Sequence, residues 1–292
     1  MEETPNSIGK AKVADVVSVL ILTLNEESDL PRCLDSVRWS DDVVVLDSFS
    51  TDKTLQVAHE RGARIVQRRF DDWSSHLNWA VTNIQFKHPW VYYSDADEVV
   101  TRELGEEMNC AVRETSRPFV AYRVRYRNFF HDRWIRHCGI YPVWLLRLFR
   151  PCKVRWERAV NPLPIVDGQT GDLENHFHHY SFSKGFDAWF DKHNRYSRSE
   201  ALESIKHLQG GAIDWVGVFA ASDPTRRRRA IKELSFRLPC RPALRFFYMY
   251  FLRLGFLDGW QGLTYCTLLS IYEYMIVLKM RELRRREKHL SL

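Results

Sequence analysis

Over the first hundred residues, short apolar runs alternate with longer stretches whose apolar positions recur every three or four residues. Residues 16–24 (VVSVLILTL) are almost continuously apolar, the pattern of a strand buried on both faces. Residues 43–46 predict a second such strand ending at Asp47, residues 64–66 a short third, and residues 90–94 a fourth. Between them, residues 28–37, 51–61 and 74–86 read as helices, the second closed by Gly62, where a C-terminal glycine is favoured. Strand and helix alternating at such short intervals predict an α/β fold with a mostly parallel, Rossmann-like sheet and right-handed crossovers. Beyond about residue 115 the period changes. Residues 119–130 and 143–149 alternate as antiparallel strands do, and residues 183–204 predict an amphipathic helix.

In open α/β sheets, ligands bind outside the carboxyl ends of the strands. Three of those ends carry polar clusters here: Thr23-Leu24-Asn25-Glu26, Asp47-Ser48-Phe49-Ser50-Thr51-Asp52 and Asp95-Ala96-Asp97-Glu98. Two carboxylates one residue apart at a buried strand end suit a hard divalent cation, Mg²⁺ or Mn²⁺, that shares oxygen ligands with a diphosphate. Asp47 can accept from a pyrimidine N–H or a ribose hydroxyl. Ser50-Thr51-Asp52 also makes a good helix cap, which is the main role expected of Asp52. Glu26 either lines the first strand end or caps the helix near Ser28. Asn78 lies on a helix reaching the same edge, as a nucleotide contact or a surface residue. Arg68 and Arg69 either neutralise a diphosphate or are solvated.

The chain has 292 residues, 45% of them hydrophobic, enough for one sizeable core with an appended subdomain. Its net charge of +6 is uneven. Residues 224–292 carry 15 Lys and Arg against 5 Asp and Glu, so the remainder is mildly acidic. Six scattered cysteines without a CxxC pair point to reduced thiols rather than a zinc site. Residues 1–12 form a polar start without the apolar core of a signal peptide.

Together with His76-Leu77-Asn78-Trp79-Ala80, the three strand-end clusters resemble the inverting nucleotide-sugar glycosyltransferases of the GT-A fold, family 2. Downstream, Tyr141-Pro142, Leu146-Arg147-Leu148-Phe149-Arg150, His179-Tyr180-Ser181 and Leu257-Asp258-Gly259 resemble the branch that builds bacterial lipopolysaccharide cores and surface polysaccharides, including the core β-1,4-glucosyltransferases. Two departures stand out. Phe49 replaces the usual glycine of the second motif, and Arg155-Trp156-Glu157 stands where the branch shows Val-His-Glu.

The resemblance implies backbone contact of Thr23 with the base, with Asn25, Glu26, Asp47 and Asn78 around the nucleotide. It puts Asp97 directly on the metal and Asp95 near the ribose, or on the metal through water, while Glu98 stays structural. It makes His179 the histidine that completes the metal or diphosphate site, whereas His176 and His178 read as members of a polar strand. Glu157 is the expected catalytic base; the competing acids are Asp132, Asp167, Asp172 and Glu174. The loop His137-Cys138-Gly139 would admit the donor sugar, and Arg195 and Tyr196 read as helix surface.

The expected organisation is a catalytic domain over residues 13–223, with a nucleotide half (13–115) and an acceptor half (116–223), followed by a basic, aromatic-rich helical region at 224–292. No window of that region holds about 20 clean apolar residues, so a spanning helix is not expected. Its basic flanks, 226–229 and 281–288, fit peripheral attachment to an anionic cytoplasmic leaflet; the alternatives are packing on the catalytic domain or a homo-dimer interface. The expected partners are a UDP-sugar donor, a glycan or lipid-linked acceptor and the inner membrane surface, with no nucleic acid. Two rival readings are a nucleotidyltransferase on a similar sheet and an inactive membrane-associated scaffold.

Overall fold

The computed structural model describes residues 17–114, 116–158, 162–209, 214–219, 230 and 240–291. The polar start, the basic run 226–229 and the expected boundary at 223/224 lie outside the described residues. Chain contacts divide the protein into two compact units, residues 1–125 with 144–177, and residues 126–143 with 178–292.

In the first unit, β1 (Val17–Thr23) is buried along its whole length. It pairs in parallel with β2 (Val43–Asp47) on one side and β4 (Trp90–Asp95) on the other, and β3 (Arg64–Gln67) extends β2. Helices α1 (Leu30–Ser36), α2 (Thr54–Glu60) and α3 (Trp73–Asn83) connect them. Beyond β4 the sheet becomes antiparallel through β8 (Trp144–Phe149) and β6 (Phe119–Phe130), as the alternating pattern predicts. The order is β3-β2-β1-β4-β8-β6-β11-β5, where β11 is Gln169–His179 and β5 is Glu98–Val100. Leu20, Leu22, Val44, Leu46, Leu77, Val91, Phe149 and Trp156 are among the side chains of one continuous core. Burying each aliphatic one stabilises the fold by about 1.5–3 kcal/mol.

Helix α4 (Arg102–Arg113) is capped by Thr101, whose Oγ1 accepts from Leu104 N–H, and α3 by Asp72, which accepts from Ser75 N–H. Both caps satisfy amides that the first turn leaves open. Helices α1 and α2 start two and three residues later than the periodicity predicts. The residues ahead of them are held instead in loops that hydrogen-bond across the strand ends. A two-stranded sheet of β9 (Val154–Glu157) and β10 (Leu163–Val166) packs on α3.

In the second unit, the end of β6 turns back into β7 (Arg133–Ile135) through His131 and Asp132, both at positive φ, as a two-residue hairpin turn requires. Helix α5 (Gly185–Gln209) packs along a C-terminal helix, Gly259–Glu287, through Ala201, Ile205, Ile276 and Met280. Phe130, Ile135, Cys138, Met249 and Cys266 form a second small core.

Candidate functional site

The parallel pairing sets three strand ends side by side: Thr23 is opposite Asp47, and Leu22 is opposite Asp95. The convergence expected from the apolar run lengths therefore exists as a register. Asp47 is buried, and its carboxylate accepts from Thr23 Oγ1 at 3.0 Å, Ser50 N–H at 2.9 Å, Ser50 Oγ at 2.5 Å and Gln67 Nε2 at 3.1 Å. A carboxylate offers about four acceptor sites, so this one is taken up by the protein.

The loops after β1 and β2 are stapled to each other. Asn25 N–H donates to Ser50 Oγ at 2.8 Å, and Thr51 N–H donates to Asn25 Oδ1 at 2.8 Å. Glu26 N–H donates to Thr54 Oγ1 at 2.7 Å, Glu27 N–H to Asp52, and Lys53 N–H to Glu27. Asp52 also accepts from Thr54 N–H, standing one residue ahead of the cap position of α2, which is Lys53. Asn25 sits at φ 55 and Phe49 at φ 63. Asn tolerates this left-handed region, whereas a bulky aromatic adopts it seldom.

At the end of β4 the acidic motif divides. Asp95 accepts from Tyr93 Oη at 2.7 Å and from Arg147 Nη2 at 3.0 Å. Arg147 also donates to Glu98, which is buried and accepts from Ser94 Oγ. The guanidinium lies 4.3 Å from the Tyr93 ring centre and 5.4 Å from that of Phe177. Burial works against its charge, yet Glu98 and Asp95 hold its pKa well above the ordinary range. Asp97 occupies the turn between β4 and β5 and is partly exposed. Among the described residues, no three His, Cys, Asp or Glu side chains form a group that could hold a metal. Mg²⁺ is usually held by one or two carboxylates together with substrate phosphates, and the oxygen donors of Asp97 fit that arrangement.

The other expected residues each have partners of their own. Asn78 is turned to β9: its Nδ2 donates to Trp156 C=O and its Oδ1 accepts from Trp156 N–H, both at 2.8 Å. Glu157, the next residue, is exposed and pairs with Arg155 at 3.1 Å. Of its rivals in the same unit, Asp167 pairs with Lys153 and Asp172 with Arg123. Arg68 forms a two-pronged pair with Asp71 and donates to His76 Nδ1 at 2.8 Å. Burial and the neighbouring Arg68 charge push the pKa of His76 down to about 4, so it is neutral near pH 7. Arg69 lies over the Phe49 ring at 5.9 Å. In the second unit, His179 meets Tyr126 edge to face at 5.5 Å, and His137 Nδ1 lies 2.9 Å from the buried Asp258 carboxylate.

Arg147 is the residue of this site that sequence reading underrates. The available signal was a cation inside the apolar strand Trp144–Phe149. A charge at such a position needs a buried partner of opposite sign.

The family model for glycosyl transferase family 2 matches residues 18–165, just over half of the chain. An uncharacterized glycosyltransferase of Rickettsia bellii (strain RML369-C) is 25% identical over 283 residues, covering 91% of this chain and 86% of its own. The lipopolysaccharide core biosynthesis glycosyltransferase LpsC of Rhizobium meliloti (strain 1021) is 24% identical over 195 residues, covering 65% of this chain and 72% of its own. Among solved structures, glucosyl-3-phosphoglycerate synthase from Mycobacterium tuberculosis, in complex with Mn²⁺, UDP and glucosyl-3-phosphoglycerate, is 24% identical with a TM-score of 0.33. That likeness covers 39% of this chain and 44% of the other, less than half of either. With its mixed sheet, parallel from β3 to β4, and the matched motifs at the strand ends, the chain belongs to glycosyl transferase family 2 and is a glycosyltransferase of the GT-A fold.

Proposed function

We propose that this glycosyltransferase moves a hexose, glucose from UDP-glucose, with inversion onto a lipopolysaccharide-core or lipid-linked glycan acceptor at the cytoplasmic membrane face. The observation that carries the donor half is the side-by-side register of Thr23, Asp47 and Asp95. In this reading the base lies against Thr23 and Asn25. Asp47 forms the floor of the pocket and meets a pyrimidine N–H by giving up one of its present donors. Asp95, held by Arg147, faces the ribose. Asp97 would hold Mg²⁺ or Mn²⁺, and an ion bound there would offset the charge that grows on the departing diphosphate. Glu26 shapes the same edge through the Thr54 contact, and Asn78 supports it by fixing β9. Glu157 removes the proton of the acceptor hydroxyl, the step that a single displacement requires of a general base.

The similarity to LpsC supports the choice of acceptor, and the second unit supports a membrane face. No helix among the described residues is long and apolar enough to cross a membrane. The two acids within the C-terminal apolar sequence turn inward: Glu273 is buried and pairs with Arg241 and Arg245, and buried Asp258 accepts from the N–H groups of Arg136 and His137. Phe247, Phe251, Leu252, Phe256, Leu257 and Trp260 are exposed instead. Large exposed apolar patches mark interaction sites, and the basic end of the Gly259–Glu287 helix, Arg284 to Arg286, suits anionic lipid. The deciding experiment measures released UDP across a panel of UDP-sugars with Mg²⁺ or Mn²⁺, for wild type and Asp97→Ala. Equal turnover in the two would sink the metal assignment, and no release from any UDP-sugar would sink the donor.

A further inference from the structure

Phe49 combines three properties that seldom coincide. Its backbone sits at φ 63, in the left-handed region that favours glycine and where a bulky residue is an outlier. Its side chain is 49% exposed, so no burial of the ring accounts for the strained backbone. It also follows Asp47 by two residues, in the loop that Asn25 staples through Ser50 and Thr51. Strain of this kind is kept where surrounding structure enforces it, and it clusters at ligand sites. Here Ser50 enforces it, bonded to Asp47 by both its N–H and its hydroxyl. Arg69 stands 5.9 Å from the ring centre, which limits the orientations available to the ring. Leu24, in the adjoining loop, is also exposed, at 47%.

Resting on the reading that these strand ends hold the donor nucleotide, we propose that Phe49 is a nucleotide-binding residue: its ring, steadied by Arg69, is the face on which the nucleobase of the donor stacks. An aromatic ring recognises the π face of a base and gives nothing comparable to a bare diphosphate. A stack of this sort is sequence-tolerant and contributes roughly tenfold or more to affinity. A residue free of strain would serve the loop better, so the aromatic side chain is retained for contact with a ligand.

The test is calorimetric binding of nucleoside diphosphates to the full chain. UDP, CDP, ADP and GDP are compared on wild type, and the tightest is then measured on Phe49→Gly, Phe49→Leu and Phe49→Tyr beside pyrophosphate. Phe49→Gly suits the local backbone, so its melting temperature is expected to hold or rise. The expected result is a Kd raised about tenfold or more in Phe49→Gly and Phe49→Leu, near wild type in Phe49→Tyr, and unchanged for pyrophosphate throughout. Nucleotide affinity unchanged in Phe49→Gly and Phe49→Leu overturns the stacking role alone. A parallel loss of pyrophosphate affinity also overturns it, by showing that the loop and not the base contact was altered. Wild type that binds none of the four nucleotides overturns the nucleotide-pocket reading and the stack with it.

Discussion

Arg147 Nη2 lies 3.0 Å from Asp95 Oδ2 while also donating to Glu98, so the acidic motif at the end of β4 closes around one buried cation. Removing that cation leaves two carboxylates facing each other with little water. Arg147→Met is therefore expected to lower the unfolding free energy by about 3–5 kcal/mol, read as a shift of the urea midpoint at constant slope. A change below about 1 kcal/mol would show that the cation is not what holds the motif. The double variant Arg147→Met with Glu98→Met should recover part of the loss.

Asn78 joins α3 to the strand that carries Glu157. Asn78→Ala strands the Trp156 peptide groups and is expected to cost about 1–3 kcal/mol of stability. If Glu157 is the base, the same change lowers kcat and leaves the donor KM nearly constant. Glu157→Gln lowers kcat further, by about 10²–10⁴-fold, at unchanged UDP affinity. A donor KM that rises in Asn78→Ala at constant kcat would put Asn78 on the nucleotide instead.

Asp95 and Asp97 should separate on substitution. Asp97→Asn is expected to lower turnover at saturating Mn²⁺ by about 100-fold and to abolish the metal dependence of UDP binding. Asp95→Asn should weaken UDP binding with or without the ion. Identical titration curves for the two variants would refute the division of labour.

His76 contributes a pH dependence whose sign follows from its low pKa. Folding holds the imidazole neutral, with a pKa near 4 against 6.5 when unfolded. The stability it provides is complete above about pH 6.5 and is lost as the pH falls toward 4, because the unfolded chain takes up the proton first. Chemical denaturation between pH 7 and 5 should show this loss, and His76→Gln should reduce it. Equal slopes for the two proteins would exclude His76 as the source.

The exposed aromatic ridge predicts membrane affinity carried by side chains that leave the fold intact. Phe251→Ser with Leu252→Ser is expected to reduce binding to vesicles containing anionic lipid by about tenfold or more, with thermal stability unchanged. Vesicle binding equal to wild type would remove the ridge from the membrane reading.

Much of the fold was legible in the sequence because its signals are local. Apolar runs such as Val17–Thr23 and Val43–Asp47 are buried on both faces, and such strands announce themselves by composition and end where polarity begins. The ends of those runs named Thr23, Asp47 and Asp95, and parallel pairing, which the short βα spacing all but dictates, brought them into one row. Phe49 was visible as a departure from a glycine position, although its positive φ was not.

The partners of the polar groups came only with the tertiary structure. Arg147 meets Glu98 and Asn78 meets Trp156 across separations of 49 and 78 residues, and no local period encodes such a pairing. Saturation of Asp47 by four donors needed the ends of β1 and β3 on either side of β2, with Ser50 folded back from the loop that follows. The same holds in the second unit, where Glu273 and Asp258 turned inward and Phe251 and Trp260 outward, the reverse of what their polarity alone suggests. Sequence by itself determined which backbone segments become strands and helices, because that depends on neighbours a few residues away. Tertiary structure decided which charges are neutralised and which aromatic faces stay exposed, because burial is a property of the assembled chain.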